Sequence, residues 1–316
     1  MSISYQQIKC KSFLHKISNK FLPFSWGANP YRGCEHSCPY CFARYTHEYL
    51  GYNKDAEFDN KIFVKMNAAE ILEKELSRKT WKNEPVNLGS VCDPYQPAEK
   101  KFEITRQVLK VFAKHRTPLF VGTKSSLILR DIDLLSEMAK TSNLVVNITL
   151  TTLDENICSK IEPRASSPKE RLDAIRQLSD AGITVGILFM PIFPYLTDKV
   201  ESINKTMKAV RDAGAKDLIP GVLGLKSSCK DRVLFMIKKE YPKLYSRYLT
   251  LYKKASAPKD YTGRIYRIIE IARKKYNLKK FELPEKTIEP LDIRGMNFVL
   301  RILVEPIILR KSLPEI

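Results

Sequence analysis

The sequence predicts an α/β fold built on a parallel sheet, closed either as an open barrel or as a doubly wound sheet. Two observations carry that expectation. Six segments are apolar nearly throughout, as strands are when both faces of a sheet are covered. Amphipathic stretches of 3.6-residue period separate them, which is the pattern of repeated βα units. Right-handed crossovers follow from such units, but periodicity does not choose between the two closures. At 316 residues the chain can bury one barrel-sized domain with an appendage.

Taken in order, residues 1–23 are basic and mixed, and read as an N-terminal arm covering the first strand. Residues 24–31 form that strand and lead into a cysteine-rich loop. Residues 46–61 are polar, with Gly51 and Asn53, and read as an irregular excursion. Residues 63–66 make a brief strand, and a helix over 70–78 buries Ile71, Leu72 and Leu76. The second strand spans 86–92 and stops at Asp93-Pro94. A helix over 104–115, a strand over 118–123, a helix over 130–140 and a strand over 144–151 follow. Ser167-Pro-Lys-Glu170 has the form of a capping box with Pro at the first helical position, so a helix starts there. It runs to Ala181, and Gly182 stops it. A strand over 183–190, a helix over 198–213 and a strand over 216–224 complete the series. The expected division is 1–23 as the arm, 24–229 as the α/β body and 230–316 as a basic helical extension.

Charge is the unusual part of the composition. The net charge is +19, with 54 Lys and Arg against 35 Asp and Glu. Residues 230–316 carry a surplus of +11 and residues 1–229 one of +8. Such a surplus points to a polyanionic partner, nucleic acid first and an anionic membrane surface second, or to plain solubility. No long apolar run follows the N-terminal charges, so the expected location is the cytoplasm. The most apolar late stretch, 296–309, is cut by Arg301, Glu305 and Pro306, and no membrane span is expected.

The chemistry concentrates in Asn29-Pro-Tyr-Arg-Gly-Cys34-Glu-His-Ser-Cys38-Pro-Tyr-Cys41-Phe-Ala-Arg44. Three of seven cysteines fall within eight residues, spaced C-x3-C-x2-C. Thiolates this close on a Gly- and Pro-marked loop can serve one metal centre. A four-iron, four-sulfur cluster takes one thiolate per iron, so three cysteines leave one iron open. With His36 or His47, the same cysteines could instead form a closed Cys3His zinc site, and the chain would be a zinc-stapled nucleic-acid-binding protein. A disulfide framework does not suit a chain of this size without a leader.

The loop resembles the signature of the radical S-adenosylmethionine (radical SAM) enzymes, which have C-x3-C-x2-C with an aromatic residue, here Tyr40, before the third cysteine. The words around Asn29–Arg44 are similar to the branch related to spore photoproduct lyase, often described as DNA repair photolyase-like. The resemblance spans about residues 24–225 and implies a partial (β/α)6 barrel with a C-terminal helical extension. It also implies a 4Fe-4S cluster on Cys34, Cys38 and Cys41, with S-adenosylmethionine on the open iron and an electron donor of flavodoxin or ferredoxin type. One electron would cleave the sulfonium to give a 5′-deoxyadenosyl radical, as in a lyase of DNA repair.

Other positions take roles from the same resemblance. Lys124 would contact the carboxylate of S-adenosylmethionine, Thr149 stands where the family has a cofactor-binding serine, and Tyr40 would pack on the adenine. Strand alternation would put Ser90 and Cys92 on one face. Cys92 is the candidate hydrogen-atom donor, although counting from Asp93 aligns the family's donor with Ser90, a cofactor-side position here. Asp93-Pro-Tyr-Gln-Pro is closer to the wider branch than to the repair enzyme, which argues against spore photoproduct as the substrate. Asp154, Glu162-Pro-Arg164, Arg171 and Met190-Pro-Ile-Phe-Pro194 also match, without an assigned role.

From Lys230 onwards tyrosines and cations interleave. Tyr241, Leu244, Tyr245, Tyr248, Leu249 and Tyr252 recur at helical spacing among Lys243, Arg247, Lys253 and Lys254. Such a stripe suits base stacking and phosphate contact, or a helix face packed on the barrel. Residues 290–316 give neither a helical nor a strand pattern.

Overall fold

The computed structural model describes residues 2–17, 22–226 and 228–280. The N-terminal part contains β1 (Ser4–Ile8), β2 (Leu14–Lys16), β3 (Trp26–Ala28), β4 (Tyr31–Arg32), α1 (Tyr45–Glu48) and β5 (Lys61–Lys65). The body continues with α2 (Ala68–Leu76), β6 (Val86–Leu88), α3 (Glu99–Phe102), α4 (Ile104–Lys114), β7 (Leu119–Thr123), α5 (Ile132–Thr141) and β8 (Leu144–Thr149). After these come α6 (Glu155–Ile161), α7 (Pro168–Asp180), β9 (Thr184–Ile192), α8 (Val200–Asp212) and β10 (Asp217–Val222). The described chain ends with α9 (Lys230–Glu240), α10 (Tyr245–Leu251), α11 (Lys259–Lys275) and β11 (Lys279–Lys280).

The six expected strands are β3, β6, β7, β8, β9 and β10, and they lie side by side in that order, all parallel. β2 pairs antiparallel with β3 at one edge, and β11 pairs parallel with β10 at the other. Consecutive helices pack on one another: α2 on α4, α4 on α5, α7 on α8 and α8 on α11. The strand residues beneath them are apolar and buried, including Val86, Leu88, Val146, Ile148, Val185, Ile187 and Leu218. By alternation the opposite face carries Asn87, Asn147, Thr149 and Asp217. A single helical layer outside and polar side chains inside are the marks of a curled, barrel-like sheet, not of a doubly wound one.

Local chemistry explains the boundaries. The capping box forms as expected: the Glu170 N–H donates to Ser167 Oγ at 3.2 Å, and the Ser167 N–H to Glu170 Oε2 at 2.6 Å. Such a cap stabilises a helix by about 1 kcal/mol. β6 ends at Leu88, not at residue 92, because Gly89 takes φ +94 and turns the chain. Ser90 and Cys92 therefore do not share a strand face, contrary to the alternation expected of them. β1 was not legible: it pairs parallel with β5, while β4 pairs antiparallel with the same strand in a second, three-stranded sheet. The excursion after the cysteine loop opens with the short α1, and the helix expected over 130–140 starts as a 3-10 turn, Ser126–Asp131, before α5.

One continuous apolar core runs from Phe13 to Leu278 and includes Tyr248, Tyr252, Ile265 and Ile269 of the C-terminal helices. The tyrosine stripe is thus in large part a packed face. Tyr248 donates to the Pro194 carbonyl and Tyr252 to the Leu223 carbonyl, each at 2.7 Å. The apolar run 296–309 and the rest of 281–316 lie outside the described residues. Among the described residues no helix is long and apolar enough to cross a membrane.

Candidate cofactor site at the strand ends

The cysteine loop leaves β3 and passes through β4 against β5. Gly33, at φ +81, makes this possible, because a Cβ there would stand 2.9 Å from the carbonyl oxygens of Phe58 and Lys61. The Cys34 N–H donates to the Phe58 carbonyl at 3.1 Å, and the Cys41 N–H to the Cys38 carbonyl at 3.1 Å. Cys34 and Cys38 are buried and Cys41 is half-buried, none in a disulfide, and Cys34 and Cys41 pack with Ala43, Phe42, Phe58 and Val91. Burial pushes all three thiols up, and Cys34 is raised further by Asp93 and by its two cysteine neighbours. Lys124 opposes that rise at Cys38, and Arg44 and Lys124 oppose it at Cys41.

The donor set is three soft thiols on one loop, which fits an iron-sulfur cluster with one iron per thiolate. A Cys3His zinc site fits less well. His47 Nε2 lies 3.0 Å from the Lys61 carbonyl, and His36 Nδ1 lies 3.3 Å from Asp93 Oδ2. Among the described residues no three His, Cys, Asp or Glu side chains close around a single ion.

Beside the loop stands a buried polar network that the sequence only hinted at. The Tyr40 hydroxyl donates to Glu162 Oε1. Arg171 Nη1 donates to Glu162 Oε2 at 2.5 Å and to the Thr149 carbonyl at 3.1 Å, and its Nε donates to the Ser166 carbonyl at 2.8 Å. Burial alone would raise the Glu162 carboxyl, but Arg171 and Lys124 hold it below its ordinary value. The Lys124 ammonium lies 5.9 Å above the Tyr40 ring. Burial would lower it, but Cys38, Glu162 and Asp93 outweigh that and hold it above its ordinary value. Tyr40, Lys124 and Cys38 therefore meet at the mouth of β7, and Arg171 joins them to Thr149 at the end of β8.

Two further side chains tie neighbouring strand ends to the loop. Asp93 Oδ1 accepts from Thr123 Oγ1 at 2.6 Å and the Tyr95 N–H at 2.9 Å, while Oδ2 accepts the Lys124 N–H at 2.8 Å. Burial would raise this carboxyl, yet His36, Lys124 and Thr123 keep it far below the usual range. Asn29 Nδ2 donates to Ser90 Oγ at 2.9 Å, and its Oδ1 accepts the Val91 N–H at 2.9 Å. The Cys92 thiol also points to Asn29 Oδ1, at 3.7 Å, and burial pushes its pKa up to about 12. Ser90 and Cys92 thus sit on the Asn29 flank of the loop, apart from the Tyr40–Glu162 network. Glu162, Arg171 and Asp93 were matched in the sequence without roles; Asn29 carried no signal beyond its place before the cysteines.

Residues 28–210 match the model of the family described as the radical SAM superfamily. The chain belongs to the radical SAM superfamily. An uncharacterized protein of Mycobacterium tuberculosis is 36% identical over 253 residues, covering 80% of this chain and 74% of that protein. Another, from Methanocaldococcus jannaschii, is 35% identical over 179 residues, covering 56% of this chain and 64% of that protein. In three dimensions this radical SAM chain shares its fold with spore photoproduct lyase. A mutant of that enzyme with bound AdoMet and dinucleoside spore photoproduct superposes with TM-score 0.63 at 13% identity, covering 88% of this chain and 81% of the other. SuiB of Streptococcus suis, bound to its precursor peptide, gives TM-score 0.52 at 15% identity, covering 80% of this chain and 47% of the other.

Proposed function

We propose that Cys34, Cys38 and Cys41 hold a 4Fe-4S cluster and that S-adenosylmethionine binds between this loop and the ends of β7 and β8. When bound, the pair supplies reductive cleavage of the sulfonium to a 5′-deoxyadenosyl radical, using an electron from an external donor of flavodoxin or ferredoxin type. The observation that carries the reading is the meeting of Cys38, Lys124 and Tyr40 around the buried Glu162–Arg171 pair. Lys124 is the cation available to a carboxylate, and its ammonium makes no ion pair among the described residues. Tyr40 presents a ring held by its hydroxyl, and Arg171 fixes the strand end that carries Thr149. Ser90 is occupied by Asn29, which supports a loop-positioning role. Cys92 packs in the main core with its thiol engaged, which supports packing and not hydrogen-atom delivery.

The substrate would enter the interior of the sheet below this site. There Asn147, Gly186 and Asp217 align on adjacent strands. A Cβ on Gly186 would lie 2.5 Å from both Asn147 Oδ1 and Asp217 Oδ1, and both oxygens are buried without a partner. Two free acceptors suit a substrate bearing N–H or O–H donors, as nucleobases do. With the net charge of +19 this favours a nucleic acid substrate, and a lyase or repair reaction on it is the reading adopted. The seven unpaired cysteines support a reducing, cytoplasmic setting. Anaerobic purification followed by iron, sulfide and zinc analysis tests the cofactor assignment. About four irons and four sulfides per chain are expected; stoichiometric zinc without iron would refute it.

A further inference from the structure

The family match ends at residue 210, yet α9 reaches back to the cysteine loop. Arg232, in its first turn, donates from Nη2 to Asp59 Oδ2 at 2.9 Å and from Nη1 to the Asp55 carbonyl at 2.6 Å. Asp59 is buried and already engaged: Arg44 Nη2 donates to its two oxygens at 2.7 and 3.0 Å. The same Arg44 nitrogen donates to the Cys38 carbonyl at 3.1 Å, and the guanidinium lies 5.1 Å from the Phe58 ring centre. Two guanidiniums thus share one carboxylate directly behind the cluster cysteines. The Nε atoms of Arg44 and Arg232 are buried without a partner.

Arg44 is buried and Arg232 is partly buried, and surplus positive charge held there is costly unless something negative meets it. A cluster ligated by thiolates is anionic and gains one further negative charge on reduction. Net charge nearby is among the levers that set such a cluster's reduction potential. We infer that Arg232, through Asp59 and together with Arg44, fastens the C-terminal extension to the cysteine loop and raises the reduction potential of the cluster. Arg232 is a positioning residue here, and the extension becomes part of the cluster's electrostatic surroundings. The inference rests on the reading that Cys34, Cys38 and Cys41 hold the cluster.

The test is an EPR-monitored redox titration of the full chain, reconstituted anaerobically and free of S-adenosylmethionine. Arg232→Gln should shift the reduction equilibrium threefold to tenfold toward the oxidised form, about 30–60 mV downward at 59 mV per decade. Arg232→Lys should recover most of that shift, and Asp59→Asn should move the potential upward. The opposite signs separate a charge effect from structural damage, which would move both variants one way. Equal potentials for wild type, Arg232→Gln and Arg232→Lys at full iron loading overturn the inference. Should Arg232→Gln load no iron, thermal melting of the apo chains decides: a lowered melting temperature that Arg232→Lys restores supports the fastening, and an unchanged one overturns it. A wild-type chain with no reducible cluster refutes the functional reading itself.

Discussion

Arg171 and Glu162 form an ion pair at 2.5 Å with both side chains wholly shielded from solvent, and through it the end of β8 is joined to Tyr40 of the cysteine loop. Breaking a buried pair by removing one partner leaves a charge stranded and costs about 3–5 kcal/mol. Arg171→Leu should therefore lower stability by that amount in chemical denaturation. Arg171→Lys should recover little, because a single ammonium cannot reach the Thr149 carbonyl, Glu162 and the Ser166 carbonyl together. A lysine variant as stable as wild type would refute this account of the network.

Lys124 gives a prediction about binding alone. The hydrogen bond to Asp93 comes from its backbone N–H and survives loss of the side chain. Lys124→Ala should keep the iron content and weaken S-adenosylmethionine binding about tenfold or more, as loss of a charge-assisted contact does. Calorimetry on the reconstituted variant measures it, and unchanged affinity would remove Lys124 from the site.

Asp217 predicts a pH dependence. Burial raises its carboxyl from the ordinary 3.8 to about 6. The folded state therefore holds the proton more tightly than the unfolded state. Its contribution is fully favourable below pH ~4, falls as pH rises through about 6, and is flat above that. The loss is on the order of 2 kcal/mol, less than the full shift implies because water reaches part of the side chain. Asp217→Asn should be more stable than wild type at pH 8 and no more stable at pH 4, read from urea midpoints at the two values.

Gly33 tests the loop geometry. Gly33→Ala would force a Cβ to 2.9 Å from two backbone carbonyls at φ +81. Overpacking and the left-handed conformation each cost about 1–2 kcal/mol. A fall in melting temperature with impaired iron loading is expected; a variant that loads iron and melts like wild type would contradict the tight approach.

The parallel βα sheet was legible because its strands are short apolar runs, its closure as a barrel came only from the family resemblance, and the capping box of α7 announced itself in four residues. Other features had no local signal. β1 is half exposed and carries Ser4, Gln6 and Gln7, so it shows no strand-like run. The face assigned to Ser90 and Cys92 failed on one backbone angle at Gly89, which alternation cannot foresee. Glu162 and Arg171 stood out as words, but their joint function appears only when a loop folds one onto the other. Asp59 and Arg232 lie 173 residues apart, and nothing in either neighbourhood indicates the pairing.

The central claim is that the loop of Cys34, Cys38 and Cys41 supports reductive cleavage of S-adenosylmethionine. Its most direct test is chromatographic detection of 5′-deoxyadenosine after the anaerobic, dithionite-reduced protein is mixed with S-adenosylmethionine. The account predicts 5′-deoxyadenosine from the wild type and none from Cys38→Ala. Absence of the product from an iron-loaded wild type, or its undiminished formation by the variant, would contradict it.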